Sequence, residues 1–271
     1  MEKICAQDFR IKYSEMDYKL ALKPSALLNF LQDLASEHAE MLGFGYSYVK
    51  PRNMAWFLLK YRMEFEDYPA GIYDLRIVTE PRGYQRMFAT RDFTLYSGEK
   101  LLGRVSSTWA MMNFETGSLV AIQSLDNPDM PPLEKRETDL TYAKIPSVEN
   151  PSASKVFEVR YDDIDVNGHV NNANYIAWAF ETLEREFRAS HKLKTLDMAF
   201  KKEIKYGESV VSEVEFVRHC EECNDEAISP HGDCEIASPL ARNDGIVTIH
   251  VIKNMAGEEL CCIRAEYADI C

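Results

Sequence analysis

Two stretches of the chain, Phe9-Arg-Ile-Lys-Tyr-Ser-Glu-Met-Asp17 and Phe157-Glu-Val-Arg-Tyr-Asp-Asp-Ile-Asp165, follow one pattern of residue types. Both read Phe, any residue, Ile or Val, Lys or Arg, Tyr, any residue, Asp or Glu, any residue, Asp. The second copy lies 148 residues after the first (157 minus 9). A pattern that recurs at one fixed offset indicates an internal repeat. The chain is therefore predicted to contain two copies of one structural unit.

A long helix is predicted after each copy. In the first, Pro24 suits the opening turn of a helix, and residues at helical spacing follow at Leu27, Leu31, Leu34, His38 and Met41. In the second, a helix is predicted over residues 171–187, with the same spacing at Ile176, Ala179 or Phe180, Leu183 and Phe187.

Strand-like runs follow each predicted helix, separated by turn signals such as Ser97-Gly98 and Ala256-Gly257. They cover residues 56–65, 73–79, 87–96 and 101–112 in the first half and 198–204, 209–217, 245–252 and 259–267 in the second. A strand, one long helix and a run of antiparallel strands is the plan of a hotdog fold, in which the sheet wraps around the helix. The fold class predicted is α+β, a double hotdog of two tandem copies.

The domain boundaries are predicted from the repeat and from a proline-rich connector. The N-terminal hotdog takes residues 1–122, the connector residues 123–153, and the C-terminal hotdog residues 154–271. The connector holds Pro128, Pro131, Pro132, Pro146 and Pro151 amid charged residues. Two unrelated α+β domains are the alternative, which the repeated order of elements disfavours.

Composition narrows the class of protein. The 271 residues are 46% hydrophobic and 28% charged, which is typical of a soluble globular protein, and no apolar run is long enough to span a bilayer. The N-terminus resembles neither a signal nor a transit peptide, so a cytoplasmic location is expected. The net charge of −13 argues against a nucleic-acid partner. No cofactor is predicted.

The seven cysteines are expected to be free thiols, since an odd number cannot all pair within one chain. One cluster, His219, Cys220, Cys223, His231 and Cys234, contains a C-x2-C element and enough ligands for a tetrahedral zinc ion. The second C-x2-C pair of a zinc ribbon is missing. Free thiols are therefore favoured and no metal site is predicted.

The two copies differ where chemistry is expected. Asp17 matches Asp165, but Lys19 and Ala21 stand where the second copy has Asn167 and His169. An acid, an amide and an imidazole at alternate positions of an extended segment would project to one side of the backbone. Helix capping and turn formation would explain the asparagines and glycine here without explaining the histidine. The cluster is therefore predicted to be catalytic.

At these residues the chain resembles a known family. The stretch from Asp165 to Trp178, Asp-Val-Asn-Gly-His-Val-Asn-Asn-Ala-Asn-Tyr-Ile-Ala-Trp, with Glu181 following, looks like the signature of the acyl-(acyl-carrier-protein) thioesterases of plant plastids and bacteria. Further motifs of similar type are Asn53-Met-Ala-Trp56, Ser106-Ser-Thr-Trp-Ala-Met-Met-Asn113 and Phe200-Lys-Lys-Glu203. The resemblance implies hydrolysis of fatty acyl-(acyl carrier protein) to free fatty acid and carrier protein. It implies catalytic roles for Asp165, Asn167, His169 and Glu203.

One position departs from the family pattern. Plant members have a cysteine directly after the glutamate, whereas this chain has Ile204. A thioester needs chiefly an activated water and a stabilised oxyanion. His169 and Glu203 are therefore expected to activate water, while Asn167 holds the carbonyl or the water. Asp165 orients the cluster, and backbone N–H groups at the start of the second helix complete the oxyanion hole. Direct attack by a carboxylate, through an anhydride, stays open.

The substrate-binding residues are predicted from bulk and charge. The acyl chain is expected to occupy the N-terminal hotdog, and the bulky residues of its motifs, Met54, Trp56, Trp109 and Met111, are candidates for lining it or for plain core packing. Residues 185–205 carry seven Lys and Arg against three acids, a net of +4 (7 minus 3). Arg185, Arg188, Lys201 and Lys202 in this stretch are predicted to bind the acidic carrier protein, with an ordinary solvated surface as the alternative.

Other functions stay open. An acyl-CoA thioesterase would use the same site, and a hotdog that binds acyl thioesters without cleaving them is a further alternative. No membrane span is expected, and the chain is predicted to be a monomer with an internal pseudo-dimer, or a homodimer.

Overall fold

The computed structural model describes residues 3–125, 131–217 and 245–270. The first half contains β1 (Cys5–Arg10), α1 (Pro24–Met41), α2 (Tyr46–Val49), β2 (Met54–Phe65), β3 (Asp74–Gln85), β4 (Phe88–Ser97), β5 (Lys100–Asn113) and β6 (Ser118–Leu119). The second contains β7 (Ala153–Glu158), α3 (Asn172–Glu181), α4 (Arg185–Ser190), β8 (His191–Phe200), β9 (Ser209–Val217), β10 (Ile246–Asn254) and β11 (Glu259–Asp269). Single turns of 3-10 helix at Tyr13–Glu15 and Tyr161–Asp163 follow β1 and β7.

Eleven strands of the described residues form one antiparallel sheet, and its order reveals the duplication. The order is β1-β3-β4-β5-β2 followed by β8-β11-β10-β9-β7, with β6 on β5. Counted outward from the centre, the strands of the two halves correspond in pairs: β2 with β8, β5 with β11, β4 with β10, β3 with β9 and β1 with β7. The halves join where β2 pairs with β8, with Arg62 opposite Asp197. The predicted double hotdog is confirmed, because each half repeats the other around a pseudo-twofold axis at this central pair.

The first elements of the two halves, up to the start of α1 and α3, are separated by the same number of residues. β1 and β7, the two 3-10 turns, and the starts of α1 and α3 are all 148 residues apart (153 minus 5, 161 minus 13, 172 minus 24). Phe9 stacks on Phe30 with ring centroids 4.7 Å apart, and Phe157 stacks on Trp178 at 6.0 Å. The shared phenylalanine therefore anchors each first strand to its helix.

The core lies between the sheet and the helices. α1 contacts β1, β3 and α3, and α3 contacts β9, β10 and β11. The faces of the two helices that are buried hold Leu27, Leu31, Leu34 and His38 in α1 and Ala173, Ile176, Ala179 and Phe180 in α3. Met41, predicted for the buried face, is 63% exposed, because it is the last residue of its helix.

Two predicted elements are wrong in their bounds. The helix predicted over 171–187 ends at Glu181, where the Thr182 hydroxyl donates to the carbonyl of Ala179, and α4 then begins at Arg185. The strand predicted over 198–204 is β8, which starts seven residues earlier at His191 and stops at Phe200. Glu203 therefore lies in the loop after a strand and not within it.

Strand β3 is longer than predicted and runs through Pro81. β1 pairs with β3 only as far as Thr79, so no strand opposite Pro81 on that side requires a ladder hydrogen bond from it. Leu133 N–H donates to Tyr84 O, and Tyr84 N–H donates to Pro131 O, so the connector covers that edge.

Some sequence predictions fall outside the described residues. His219, Cys220, Cys223, His231 and Cys234, the possible zinc ligands, all lie there, as does Pro128 of the connector. Among the helices of residues 3–125, 131–217 and 245–270, none combines the length and apolar character needed to cross a membrane.

Candidate active site

The Asp165–His169 segment forms a tight turn. Ile164 bridges to Val170, the N–H of Asp165 donates to the carbonyl of His169 (2.8 Å), and that of Gly168 donates to the carbonyl of Asp165 (3.0 Å). Gly168 has φ +83°, a left-handed conformation that glycine adopts without steric cost. The extended conformation expected from the sequence is therefore wrong, and the side chains meet because the chain doubles back.

The Asp165 carboxylate stabilises this turn from inside. Its Oδ1 accepts the backbone N–H groups of Asn167 (2.8 Å) and His169 (3.4 Å), and its Oδ2 accepts from Asn167 Nδ2 (3.3 Å). In the first copy Asp17 Oδ1 accepts the N–H groups of Lys19 (2.8 Å) and Ala21 (2.9 Å) in the same way. An aspartate at this position thus serves the turn in both copies, and Asp165 additionally holds a side-chain amide.

His169 and Glu203 lie within hydrogen-bonding distance although 34 residues separate them (203 minus 169). His169 Nε2 is 3.1 Å from Glu203 Oε2. The adjacent backbone fixes this approach, because the N–H of Val170 donates to the carbonyl of Ile204 at 2.9 Å. An imidazole held by a carboxylate is suited to take a proton from water.

The first copy keeps the backbone contact and lacks the chemistry. There the N–H of Leu22 donates to the carbonyl of Pro69 at 2.9 Å, so Ala21 and Tyr68 occupy the positions of His169 and Glu203. The Tyr68 hydroxyl donates to Leu22 O (2.8 Å) and is buried. The same scaffold therefore carries an acid and a base in one copy only.

The electrostatic environment raises the pKa of the Glu203 carboxyl. The side chains of His169 and Glu203 are 22% and 42% exposed. Burial raises the pKa of the Glu203 carboxyl, and His169 opposes this effect. The Asp165 carboxylate raises that pKa further, and Lys205 lowers it. The carboxyl therefore exchanges its proton nearer to neutral pH than a free glutamate does.

The N-terminus of α3 lies directly after the turn and contacts α1. Asn171 caps the helix, its Oδ1 accepting from Ala173 N–H at 2.9 Å, and its Nδ2 donates to Asn29 Oδ1 (3.2 Å). Asn172 Nδ2 donates to Gln32 Oε1 (2.9 Å). Asn171 is therefore a helix cap, as the alternative reading of the sequence proposed, whereas His169 takes no part in capping. Since the N–H of Ala173 is used within the cap, it is not available to the oxyanion hole expected there.

Tyr175 contributes to the site, although the sequence analysis assigned it no role within the stretch from Asp165 to Trp178. Its hydroxyl donates to the carbonyl of Lys202 at 3.2 Å, which holds the loop that carries Glu203. Burial raises the pKa of Tyr175, so the hydroxyl stays protonated and can donate. Tyr175 is therefore a positioning residue for Glu203.

The position after the glutamate is occupied by a core side chain. Ile204 is fully buried. Among the cysteines of the described chain, Cys261 is the most completely buried, and burial raises the pKa of its thiol well above the ordinary range. A protonated buried thiol is a poor nucleophile.

An apolar cavity of about 80 Å³ lies in the first half, between α1 and strands β2 to β5. Its lining includes Trp56 and Trp109, as well as Ala35, Ala39, Phe44, Ala89 and Arg91. Met54 and Met111 lie in a separate small core cluster with Val49 and do not line the cavity. Trp56 and Trp109 therefore line the cavity, whereas Met54 and Met111 pack in a core cluster, and binding of an acyl chain by any of the four stays a prediction.

The four basic residues predicted to bind a carrier protein each contact another side chain of this protein. Lys201 is ion-paired with Glu259 and Lys202 with Glu258, both beside the loop of Glu203. Arg188 NH1 is 3.4 Å from Glu181 Oε2, and Arg185 lies 5.1 Å from the ring centroid of Tyr18 in the first copy. The positive charge counted along residues 185–205 is partly neutralised by acids that lie elsewhere in the sequence.

No set of three His, Cys, Asp or Glu side chains within the described ranges is arranged to hold a metal ion.

Comparison with known families agrees with this arrangement. Residues 2–124 match the acyl-ACP thioesterase N-terminal domain, and residues 147–269 match the acyl-ACP thioesterase C-terminal domain. The chain belongs to the acyl-ACP thioesterase family. The boundary between the two family domains falls in the connector that precedes β7.

Several plant relatives of this acyl-ACP thioesterase family member are named as thioesterases of acyl carrier protein. It is 26% identical over 227 residues to oleoyl-acyl carrier protein thioesterase 2, chloroplastic, of Arabidopsis thaliana, covering 75% of this chain and 62% of the relative. It is 27% identical over 258 residues to palmitoyl-acyl carrier protein thioesterase, chloroplastic, of the same plant, covering 88% and 61%. The chain thus spans about three fifths of the length of the curated relatives it matches.

Solved structures of acyl-ACP thioesterases share the fold. An acyl-ACP thioesterase from Bacteroides thetaiotaomicron superposes with a TM-score of 0.77 at 21% identity, covering 98% of both chains. A 12:0-ACP thioesterase from Umbellularia californica gives 0.77 at 20% identity, covering 98% of this chain and 94% of the other. These similarities establish the architecture of the family member described here.

Proposed function

We propose that the protein hydrolyses the thioester between a fatty acyl chain and acyl carrier protein, releasing a free fatty acid and the carrier. The observation that carries the proposal is the 3.1 Å contact between His169 and Glu203 beside the Asp165 turn, in a chain that belongs to the acyl-ACP thioesterase family. Relatives named for oleoyl- and palmitoyl-acyl carrier protein support the same substrate class.

In the proposed reaction a water molecule attacks the thioester carbonyl carbon. His169 accepts one proton of that water, and Glu203 stabilises the imidazolium that forms. The tetrahedral intermediate then collapses, the C–S bond breaks, and the proton on His169 passes to the departing thiolate. Because a thiolate is a good leaving group, activating the water is the main demand on the site.

The oxyanion of the intermediate needs hydrogen-bond donors near the attacked carbon. Asn167 is suited to this role because its side chain is exposed at the tip of the turn and its Nδ2 donates to Asp165 Oδ2 at 3.3 Å, which orients the amide. A donor fixed before the reaction stabilises charge that develops in the transition state more than charge in the ground state. Asp165 then acts as a positioning residue for Asn167.

The acyl chain is proposed to enter the cavity of the first half. Helix α1 links the two regions, because Gln32 contacts the start of α3 while Ala35 and Ala39, one to two turns later, line the cavity. Trp56 and Trp109 supply flat apolar walls, and each indole N–H is already hydrogen-bonded, to Phe44 O (2.9 Å) and Ser107 Oγ (2.8 Å). A saturated chain would therefore meet no unsatisfied donor from either tryptophan.

Carrier binding by Arg185, Arg188, Lys201 and Lys202 stays a prediction, and so do the cytoplasmic location and the monomeric or dimeric state. Lys201 and Lys202 would have to exchange Glu259 and Glu258 for acids of the carrier. Such an exchange depends on ionic strength, so reversing both lysines to Glu is expected to raise KM for the carrier substrate more at low salt than at high salt.

The test is direct. Purified protein is incubated with palmitoyl or oleoyl thioesters of acyl carrier protein and, separately, of coenzyme A, and thiol release is followed in time. Faster turnover of the carrier-bound substrate supports the proposal. Equal or faster turnover of the coenzyme A thioester would assign an acyl-CoA thioesterase, and binding without turnover would assign an acyl-thioester-binding protein.

A further inference from the structure

Two hydrogen bonds between side-chain amides join the halves of the molecule beside the active site. Asn171 Nδ2 donates to Asn29 Oδ1 at 3.2 Å, and Asn172 Nδ2 donates to Gln32 Oε1 at 2.9 Å. These four residues form an amide bridge. Asn29 and Gln32 are three positions apart on α1, so they lie on one face of that helix. The start of α3, two residues after His169, is therefore attached to the N-terminal half by two side chains.

The amide bridge is not repeated at the equivalent place in the other copy. The 148-residue offset holds within the helices, because Phe30 and Trp178, which stack on the equivalent phenylalanines, are also separated by it. The counterparts of the bridge carry no side-chain amide: Lys23 for Asn171, Pro24 for Asn172, Ala177 for Asn29 and Phe180 for Gln32. The bridge therefore belongs to the copy that holds His169 and Glu203, as is expected of a group that serves the site and not the fold.

The segment that the bridge holds contains one backbone N–H group without an acceptor. Between residues 167 and 174 the other N–H groups donate to oxygens of Asp163, Asp165, Asn171 and Ile204. The N–H of Asn172 has no acceptor within the described chain. Asn172 is the first residue of α3, where an N–H group has no partner inside the helix. In the other copy this place is taken by Pro24, and proline has no N–H.

A free donor at this point fits the needs of thioester hydrolysis. The oxyanion of the tetrahedral intermediate is stabilised most by donors that are held in place before the reaction. Asn167 offers a side-chain amide, and the N–H of Asn172 would add a donor at the positive end of a helix dipole. A misplacement of about 1 Å can lower a rate by about 100-fold. The anchoring of the start of α3 therefore affects catalysis directly.

We propose that Gln32 and Asn29 are positioning residues for the hydrolysis. Through the amide bridge they hold the start of α3 so that the N–H of Asn172 donates to the thioester oxygen as it becomes an oxyanion. The inference rests on the proposed function and assigns part of the reaction to the half that has no acid and base of its own. The C-terminal half alone would keep His169 and Glu203 and lack this anchor.

The first experiment removes the bridge. Gln32→Met keeps the length of the side chain and removes its acceptor, so it is expected to lower kcat for palmitoyl-acyl carrier protein by about 5- to 50-fold with KM unchanged. The exchanged pair, Gln32→Asn with Asn172→Gln, keeps both amides and should restore most of the lost kcat. Lys19→Met is the matched control, because Lys19 Nζ donates to Ala189 O between the halves on the side of the other copy. It should leave kcat unchanged.

The second experiment removes the N–H group itself. Asn172→Ala loses the bridge and keeps the donor, whereas Asn172→Pro loses both. The backbone accepts a proline here, because Asn171 has φ −57° and ψ 133°, and Lys23, which precedes Pro24, has φ −63° and ψ 132°. Removing one oxyanion donor lowers kcat by about 100- to 1,000-fold, so Asn172→Pro should be slower than Asn172→Ala by that factor at an equal Tm.

Wild-type kcat in folded Gln32→Met, or equal kcat in Asn172→Ala and Asn172→Pro, overturns the inference. The two experiments are independent, so a variant that does not fold leaves the other decisive. Calorimetry with a long-chain trifluoromethyl ketone, whose hydrate resembles the tetrahedral intermediate, separates this outcome from a failure of the proposed function. If wild type cleaves no thioester, the proposed function fails. Tighter binding of the ketone by wild type than by Gln32→Met, and by Asn172→Ala than by Asn172→Pro, would still support the inference, and equal binding would overturn it.

Discussion

Replacing His169 or Glu203 tests whether the two act as one unit. A positioned general base contributes about two to four orders of magnitude to a rate, so His169→Ala is expected to lower kcat by that factor. A charge-assisted hydrogen bond at 3.1 Å contributes about 1.5–3 kcal/mol. Because Glu203 is 42% exposed, solvent screening reduces this to about 1–2 kcal/mol. Glu203→Gln should therefore lower kcat by about 5- to 30-fold.

The double variant is the sharper measurement. If Glu203 acts only through His169, then His169→Ala with Glu203→Gln should be no slower than His169→Ala alone. The assay is thiol release from palmitoyl-acyl carrier protein, with thermal unfolding as a check on folding. Glu208→Gln, an exposed glutamate of the same loop, is the matched control and should match wild type. Fully multiplicative losses in the double variant would refute the reasoning, because the two side chains would then act independently.

The raised pKa of Glu203 adds a dependence on pH. Burial disfavours the carboxylate, so activity should fall as the pH decreases through a value above the ordinary 4.5 of a glutamate carboxyl. Ionisation of Glu203 supports activity, but it lowers the stability of the folded state. A carboxyl whose pKa is raised by folding destabilises the folded state once it ionises, so at neutral pH Glu203→Gln should be at least as stable as wild type. A clear loss of stability in that variant would mean that Glu203 has a structural role.

Three further predictions follow from the duplicated scaffold. Asp17→Ala and Asp165→Ala each remove an acceptor from the same turn and should each lower the free energy of unfolding by about 1 kcal/mol, measured with urea; only the second should lower kcat/KM, and equal kinetics would reduce Asp165 to a turn residue. Arg62→Met leaves the buried Asp197 without its partner at 2.5 Å across the central strand pair and should cost about 3–5 kcal/mol of unfolding free energy, whereas a cost below 1 kcal/mol would contradict a stabilising pair. Ala89→Leu adds volume to the cavity wall and should shift the preferred acyl chain to shorter lengths, while an unchanged chain-length profile would remove the cavity from the acyl site.

Sequence patterns were reliable where the deciding contacts are local. The start of α1 at Pro24 and the 148-residue repeat followed from neighbouring residues alone, because turns, caps and helical faces are set by side chains within about four positions of each other. The same local reasoning failed at the end of α3. There the apolar spacing continues through Leu183 and Phe187, yet the backbone leaves the helix after Glu181 and both side chains still pack against the core.

The charge of residues 185–205 also depends on contacts from elsewhere in the sequence. Counting residues 185–205 gave a basic stretch, but β8 pairs with β11, and the N–H groups of Lys201 and Lys202 both donate to the carbonyl of Leu260. This pairing places Glu258 and Glu259 beside the lysines. A charge count over residues 185–205 cannot include acidic residues that strand pairing brings in from another part of the chain.

The sequence by itself determined the duplicated hotdog and the loss of the amide and imidazole from the first copy. Only the tertiary structure decided that the Asp165 segment forms a turn, that Glu203 reaches His169 and that Tyr175 holds its loop. The physical reason is the range of the interactions. Local patterns fix backbone conformation, whereas the meeting of two side chains 34 residues apart depends on where a strand ends and on the backbone bond from Val170 to Ile204.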